Sequence, residues 1–412
     1  MSFSSFGLNA PILHGVREAG FADPTPIQQA AIPVAVQGRD LLASAATGSG
    51  KTAAFLLPIF QRLMGRPRGT TRALILTPTR ELAAQIARNA ADLGRHTGLT
   101  HAAIVGGVGM GPQIEALRRG VDMLIATPGR LLDHMRQRTA RLGGVEVLVL
   151  DEADRMLDLG FLPDVHRIVQ GLTGRRQTLF FSATLPKPIV GLTRELLKDP
   201  FAIDLERRAQ PAARAAQSVY PVHATRKSPL LLKLLRGEAV RNALVFTRTK
   251  RRADRVAHYL VQHGVSAARI HGDRTQAQRT QALEGFRHGR YRVLVATDVA
   301  ARGLDIEALS HVINFDLPGT TEDYIHRVGR TARAQASGDA LTFIAPEDEE
   351  AWKGIERALA GKPPRVKLPD FDYTVSETRR AASTVQRHRF SKHHGERPCT
   401  AARSRRSYRA TR

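Results

Sequence analysis

Apolar residues fall along this chain in two alternating periods. Short unbroken runs, among them Leu41–Ala43, Ala73–Leu76, Met123–Ala126, Val147–Leu150 and Thr178–Phe181, each end in a polar turn. Around and between them lie stretches with apolar positions three and four apart: Pro11–Ala19, Glu81–Gly94 and Gly111–Arg119. Strands covered on both faces show no polar alternation, and such strands belong to parallel sheets flanked by helices. The series then repeats: runs at Ala243–Phe246, Ala268–His271, Arg292–Ala296, His311–Phe315 and Ala340–Ile344 surround helical spacing over Lys250–His263 and Gln276–Phe286. The pattern predicts an α/β protein with two parallel-sheet domains in tandem, over residues 1–204 and 218–346. Residues 205–217 lack apolar periodicity and read as a linker. Residues 347–361 predict a terminal helix in which Trp352, the only tryptophan, packs rather than stacks on a base. From Lys362 to Arg412 there are 14 Lys or Arg against 4 Asp or Glu and few apolar residues. That composition predicts a disordered basic tail that adds affinity for a polyanion without sequence preference.

Composition sharpens this picture in three ways. A net charge of +24, from 62 basic and 38 acidic residues, calls for a polyanionic partner. Nucleic acid fits that description first and an acidic membrane surface second. The single cysteine, Cys399, excludes an internal disulfide framework. No run of 18 apolar residues and no signal peptide stand out, which predicts a soluble, cytoplasmic protein with no membrane partner.

The polar turns carry the candidate chemistry. After the first run comes Ala45-Ala-Thr-Gly-Ser-Gly-Lys-Thr52, a glycine-rich turn that would point backbone N–H groups inward around an anion. Gly48, Ser49 and Gly50 form the turn, Lys51 would reach the β- and γ-phosphates, and Thr52 would ligate Mg²⁺. The strict phosphate-loop pattern has glycine where this chain has Ala45. Asp151 and Glu152 follow Val147–Leu150 at once, where ligands of open α/β sheets sit. Asp151 would hold the same Mg²⁺, and Glu152 would orient or deprotonate an attacking water. Lysine loop and acidic pair together are the equipment for hydrolysing a nucleoside triphosphate.

Other residues admit two readings. The amide of Gln28, after Pro24 and Pro26, could read an adenine's N6 and N7, or simply start a helix. Arg80, Gly107 and Arg130 lie in turns on the same sheet edge as the phosphate loop, suited to a phosphate backbone or to surface ion pairs. The second half has no Gly-Lys-Thr loop, which suggests two lobes sharing one nucleotide. Its His326-Arg-Val-Gly-Arg-Thr-Ala-Arg333 carries Arg327, Arg330 and Arg333. On a helix, Arg330 and Arg333 would share a face and could meet a γ-phosphate as arginine fingers, bind a phosphate backbone, or form a solvated basic face. Asp298 and Asp305 could meet a ribose hydroxyl or an arginine.

Taken together, these motifs resemble those of the DEAD-box RNA helicases over about residues 1–345, with Asp151-Glu-Ala-Asp154 as the tetrad that names the family. Its companions stand in order: Gln28, Ala45–Thr52, Pro78–Ala83, Gly106-Gly107, Thr127–Arg130, Ser182–Thr184, Val245–Arg248, Gln276 with Arg279, Ala296–Asp305 and His326–Arg333. The opening segment and the basic tail are most similar to the bacterial RhlE-type subgroup. The resemblance implies two RecA-like lobes, ATP with Mg²⁺, and RNA bound across both lobes when they close. It implies adenine recognition by Phe3 and Gln28, a ribose contact from Asp305, and fingers at Arg330 and Arg333. RNA-backbone positions are Arg80, Gly107, Thr127, Arg130, Thr247, Arg279 and Thr297. Ser182, Thr184 and His326 fall where hydrolysis is linked to strand separation. Ala46, Ser49 and Ala332 depart from the family pattern; Ala332 replaces a glycine beside Arg333.

The expected activity is therefore an RNA-stimulated ATPase that unwinds short RNA duplexes locally and non-processively. An ATP-gated RNA clamp or remodelling scaffold is the alternative. A monomer is expected, with ribosome-assembly or RNA-decay assemblies as partners.

Overall fold

A computed structural model describes residues 2–45, 48–65, 69–205, 216–237, 239–301, 309–331, 338–359 and 361–374. Its first sheet comprises β1 (Leu41–Ser44), β2 (Ala73–Leu76), β3 (His101–Ile104), β4 (Met123–Ala126), β5 (Val147–Leu150), β6 (Gln177–Ser182) and β7 (Phe201–Asp204). The second comprises β8 (Ala216–Pro221), β9 (Ala243–Phe246), β10 (Ala267–Ile270), β11 (Val293–Ala296), β12 (His311–Asn314) and β13 (Asp339–Ile344). Strand orders are β3-β4-β2-β5-β6-β1-β7 and β10-β11-β9-β12-β13-β8, and every pairing is parallel.

The missing alternation has its physical reason here. Val147 and Val149 enter one apolar cluster while Leu148 and Leu150 enter another on the opposite face. In the second lobe Ala243 and Val245 face one cluster, Leu244 and Phe246 the other. Each strand thus separates two cores, as a parallel sheet between helical layers requires. The strand-to-helix turns are built alike in both lobes. The hydroxyl of Thr79 accepts from Leu82 N at the start of the helix Arg80–Leu93. Thr249 accepts from Arg252 N at the start of Lys250–Gln262, and Thr275 with Gln278 forms a capping box ahead of Gln276–Arg287.

Two segments differ from the sequence expectation. Strand β8 begins at Ala216, inside the span read as linker; residues 206–215 lie outside the described residues. The expected tail does not begin at Lys362. Val219 N donates to the Pro364 carbonyl and Val366 N to the Val219 carbonyl. Leu368, Phe371 and Tyr373 pack on the second lobe's core, and Arg365 forms a two-pronged ion pair with Glu349 at 2.8 Å. An edge strand with unpaired backbone groups recruits such a segment, which local composition does not reveal. The rest of the expected tail, 375–412, lies outside the described residues. Trp352 is fully buried with its ring 5.5 Å from that of Tyr324, a packing role as expected.

Candidate active site and nucleic-acid interface

The strand order brings three turns side by side. β1, β6 and β5 are neighbours, so the lysine loop, Ser182–Thr184 and Asp151–Asp154 emerge together at their C-terminal ends. Gly50, at φ 95°, turns the chain into the helix Lys51–Leu63, a conformation glycine adopts without penalty. Lys51 is buried and its Nζ donates to the Ala45 carbonyl at 2.8 Å. Asp151 is 2% exposed. Burial pushes its carboxyl up to about 6, opposed by the nearby Lys51 charge and assisted by Glu152. Glu152 sits in the left-handed region at φ 52°, a strained position of the kind found where a side chain must be aimed.

Gln28 takes a place between the two readings. It is fully buried; its carbonyl accepts from Thr25 N at 2.9 Å and its amide donates to the Gly50 carbonyl at 3.1 Å. The side chain thus closes a capping box and braces the lysine loop. Phe3 is 5% exposed, in edge contact with Phe6 and Phe21. Both positions have one cause: the amino-terminal segment packs into the core beside the loop.

Asp154 joins the acidic tetrad to β6. Its backbone N–H donates to Ser182 Oγ, and its carboxylate accepts from the Thr184 N–H and hydroxyl at 2.9 and 3.1 Å. Across the cleft, Arg155 reaches Asp323 of the second lobe at 3.4 Å. His326 lies beside the same pair: burial, then the Arg155 charge, push its pKa down to about 3, so it stays neutral. Arg155, Asp323, His326, Arg327, Arg330 and Asp298 line one small cavity. The helix Thr321–Val328 ends at Gly329, so Arg330 follows the helix instead of lying on it. The Thr331 hydroxyl, bound to the Leu309 carbonyl at 2.8 Å, draws the chain away from the helical path. Arg333, Ala332, Asp305 and Ala46 lie outside the described residues. Asp298 meets an arginine, as one reading had it: Arg327 grips it through two bonds of 2.6 and 2.7 Å.

Residues 25–191 match the family model for a DEAD/DEAH box helicase, and residues 226–335 match the helicase conserved C-terminal domain. The DEAD-box ATP-dependent RNA helicase CshA of Bacillus licheniformis is 40% identical over 376 residues, 91% of this chain and 77% of that one. The chain belongs to the DEAD-box helicase family. The ATP-dependent RNA helicase DeaD of Buchnera aphidicola is 41% identical over 374 residues, 90% of this chain and 62% of that one. Among solved structures, S. cerevisiae Dbp5 bound to RNA and ADP BeF3 superposes with a TM-score of 0.81 at 29% identity, covering 89% of this chain and 95% of that one. Mss116p bound to ssRNA and AMP-PNP gives 0.80 at 28% identity, over 89% and 79%. Likeness of that extent spans both RecA-like lobes together. The relatives quoted are named CshA and DeaD, so they carry the family and not the RhlE-type subgroup.

The expected RNA positions of this helicase fall on the C-terminal edges of the two sheets, in two kinds of environment. Arg80 lies over the Gly106-Gly107 turn, where a Cβ on Gly107 would meet its Nη1 at 1.7 Å. Arg130 donates to the Val108 carbonyl of the same loop at 2.8 Å. Thr127, Thr247 and Thr297 are buried at strand ends; Thr247 is fully enclosed, its hydroxyl pointing at the Thr249 and Ala296 carbonyls. Arg279 is paired with Glu81 of the first lobe at 2.9 Å. Sequence reasoning overlooked Glu81, although it stands inside the Pro78–Ala83 motif. It also overlooked Gln113, whose amide bonds Val105, Val108 and Gly109 and fixes the glycine loop. No spacing signal marks that glutamine.

Proposed function

We propose that this chain is an RNA-stimulated ATPase that separates short RNA duplexes when its two lobes close over one ATP. The observation that carries the reading is the meeting of Arg330 and His326, from the second lobe, with Arg155 of the first around a common cavity. In this reading Gly48, Ser49 and Gly50 offer backbone N–H groups to the phosphates. Lys51 leaves the Ala45 carbonyl for a phosphate oxygen, and Glu152 accepts a proton from the attacking water. Arg330, joined by Arg333, neutralises charge developing on the γ-phosphoryl group. Asp305 contacts the ribose, while Gln28 and the Phe3 cluster hold the adenine side of the loop.

Mg²⁺ fits the donors present. A deeply buried carboxylate whose pKa is pushed up to about 6 is one that a divalent cation would relieve. Asp151 and Thr52 would hold the ion, and when bound it would draw negative charge from the β- and γ-phosphates.

Coupling to RNA follows the hydrogen bonds that join Asp154 to Ser182 and Thr184, with His326 facing the Asp154 and Arg155 charges from the second lobe. RNA lies along Arg80, Gly107, Thr127, Arg130, Thr247, Arg279 and Thr297, with the buried threonines shaping turns whose backbone meets phosphate. Opening one base-pair step takes about 1.4 kcal/mol by the DNA figure, so six steps take roughly 8 kcal/mol. One closure can disrupt a short helix only, which makes the unwinding local and non-processive. Strand displacement followed beside ATP hydrolysis tests this. Displacement should fall steeply between 10- and 40-base-pair duplexes; equal rates on both, or activity without RNA, would contradict the reading. A cytoplasmic setting and a place in ribosome assembly or RNA decay extend the same proposal.

A further inference from the structure

On the outer side of the first lobe, three side chains converge that neither ATP nor RNA chemistry uses. His14 and Glu18 stand one turn apart on the helix Ala10–Glu18 and so share a face. His96 arrives from the turn after the helix Arg80–Leu93. His96 Nε2 lies 2.9 Å from Glu18 Oε2, and His14 Nε2 lies 3.5 Å from Glu18 Oε1. The two imidazoles stack with centroids 4.1 Å apart. One ligand atom from each residue falls within 4.8 Å of the others, and all three residues are exposed to solvent.

We propose that His14, Glu18 and His96 bind a divalent transition-metal ion of the Zn²⁺ type, with water completing the coordination. The donor set decides the class of ion. Two imidazole nitrogens and one carboxylate oxygen suit Zn²⁺ and its borderline neighbours, whereas Mg²⁺ and Ca²⁺ want oxygen alone. The site is therefore distinct in chemistry from the Mg²⁺ position at Asp151. Arg95 is the competing cation, with Nη1 3.6 Å from Glu18 Oε2 and Nη2 3.4 Å from Asp92 Oδ1. When the ion takes Glu18, Asp92 retains the guanidinium, so displacement leaves no charge unpaired. A bound ion would staple the helix before the Gly20–Gln28 segment to the far end of the helix that begins at Arg80 and Glu81. The ion's effect is thus on the rigidity of the first lobe.

Co²⁺ and Zn²⁺ titrations of the metal-stripped full-length chain test the site. Co²⁺ should give the visible bands of nitrogen and oxygen ligation without a sulfur-to-cobalt band, which separates this site from Cys399. Zn²⁺ should raise the melting temperature. His14→Ala and His96→Ala should each weaken binding at least about tenfold and remove the thermal shift, with Mg²⁺-supported ATPase unchanged. Binding and spectrum unaltered in both variants, or no binding to the parent chain at a large molar excess of Zn²⁺, overturns the proposal.

Discussion

Arg279 of the second lobe and Glu81 of the first form an ion pair of 2.9 Å in which both side chains are nearly out of solvent. Gln276 adds a bond of 3.1 Å to the same carboxylate. The Arg279 pKa is lowered because burial outweighs the help of the Glu81 charge. When the lobes separate, both ions regain water, so their pairing bears on closure and not on the folding of either lobe. Removing one partner of a buried pair leaves an uncompensated charge, at about 3 kcal/mol or more. Glu81→Ala should therefore raise the RNA concentration for half-maximal ATPase stimulation by roughly a hundredfold, with thermal melting little changed. Combined, Glu81→Ala and Arg279→Ala should cost less than the sum of their separate losses, because each already breaks the same pair. Equal additive losses would place the pair outside the closure equilibrium.

Asp151 offers a pH-dependent test. Its folded pKa of about 6 lies above the ordinary 3.8, so between those values the folded chain holds more protons than the unfolded one. Stability then falls as pH rises through that window, and at pH 7 the destabilisation amounts to roughly 3 kcal/mol in the absence of a cation. Asp151→Asn should raise the melting temperature at pH 7, with the gain shrinking toward pH 4, while ATPase activity is lost. A lower melting temperature at pH 7 would contradict the assignment.

The opposite sign holds for His326. Its pKa is pushed from 6.5 to about 3 by burial and then by Arg155, a charge of the first lobe that it meets only when the lobes are together. A proton therefore binds the open form better, and closure weakens as pH falls below 6.5. RNA affinity in the presence of a non-hydrolysable ATP analogue should decline from pH 7.5 to 5.5, and His326→Gln should flatten that decline. An identical slope in the variant removes His326 from the coupling path.

Two glycines separate the ATP and RNA functions. A Cβ on Gly50 would approach the Gln28 amide nitrogen to 2.6 Å at a φ of 95°, so both partner and backbone resist it. At Gly107 the obstacle is the Arg80 guanidinium, the far end of a flexible side chain, with φ at 73°. Gly50→Ala should abolish ATP binding. Gly107→Ala should instead raise the RNA concentration for half-maximal stimulation about tenfold, with the KM for ATP preserved. Parallel losses in both parameters for Gly107→Ala would refute the division.

Much of this architecture was legible because burial on both faces writes itself into uninterrupted runs such as Val147–Leu150. Strands β3 and β7 escaped for the converse reason: His101–Ile104 is half-buried, and Phe201–Asp204 is mostly exposed, so neither forms a continuous apolar run. The phosphate loop and acidic tetrad were legible because their chemistry resides in contiguous residues. What the sequence concealed is long-range pairing. Glu81 finds Arg279, and Gln276 at a separation of 195, only through the meeting of two lobes. Gln28 showed two capabilities in sequence, and packing assigned its amide to Thr25 and Gly50.

Closure itself is measurable by energy transfer between dyes on Glu115→Cys and His258→Cys, with Cys399 replaced by serine. The dyes should approach only when RNA and an ATP analogue are both present, and Arg330→Ala should abolish the approach together with hydrolysis. Full hydrolysis by molecules whose dyes stay apart would contradict it.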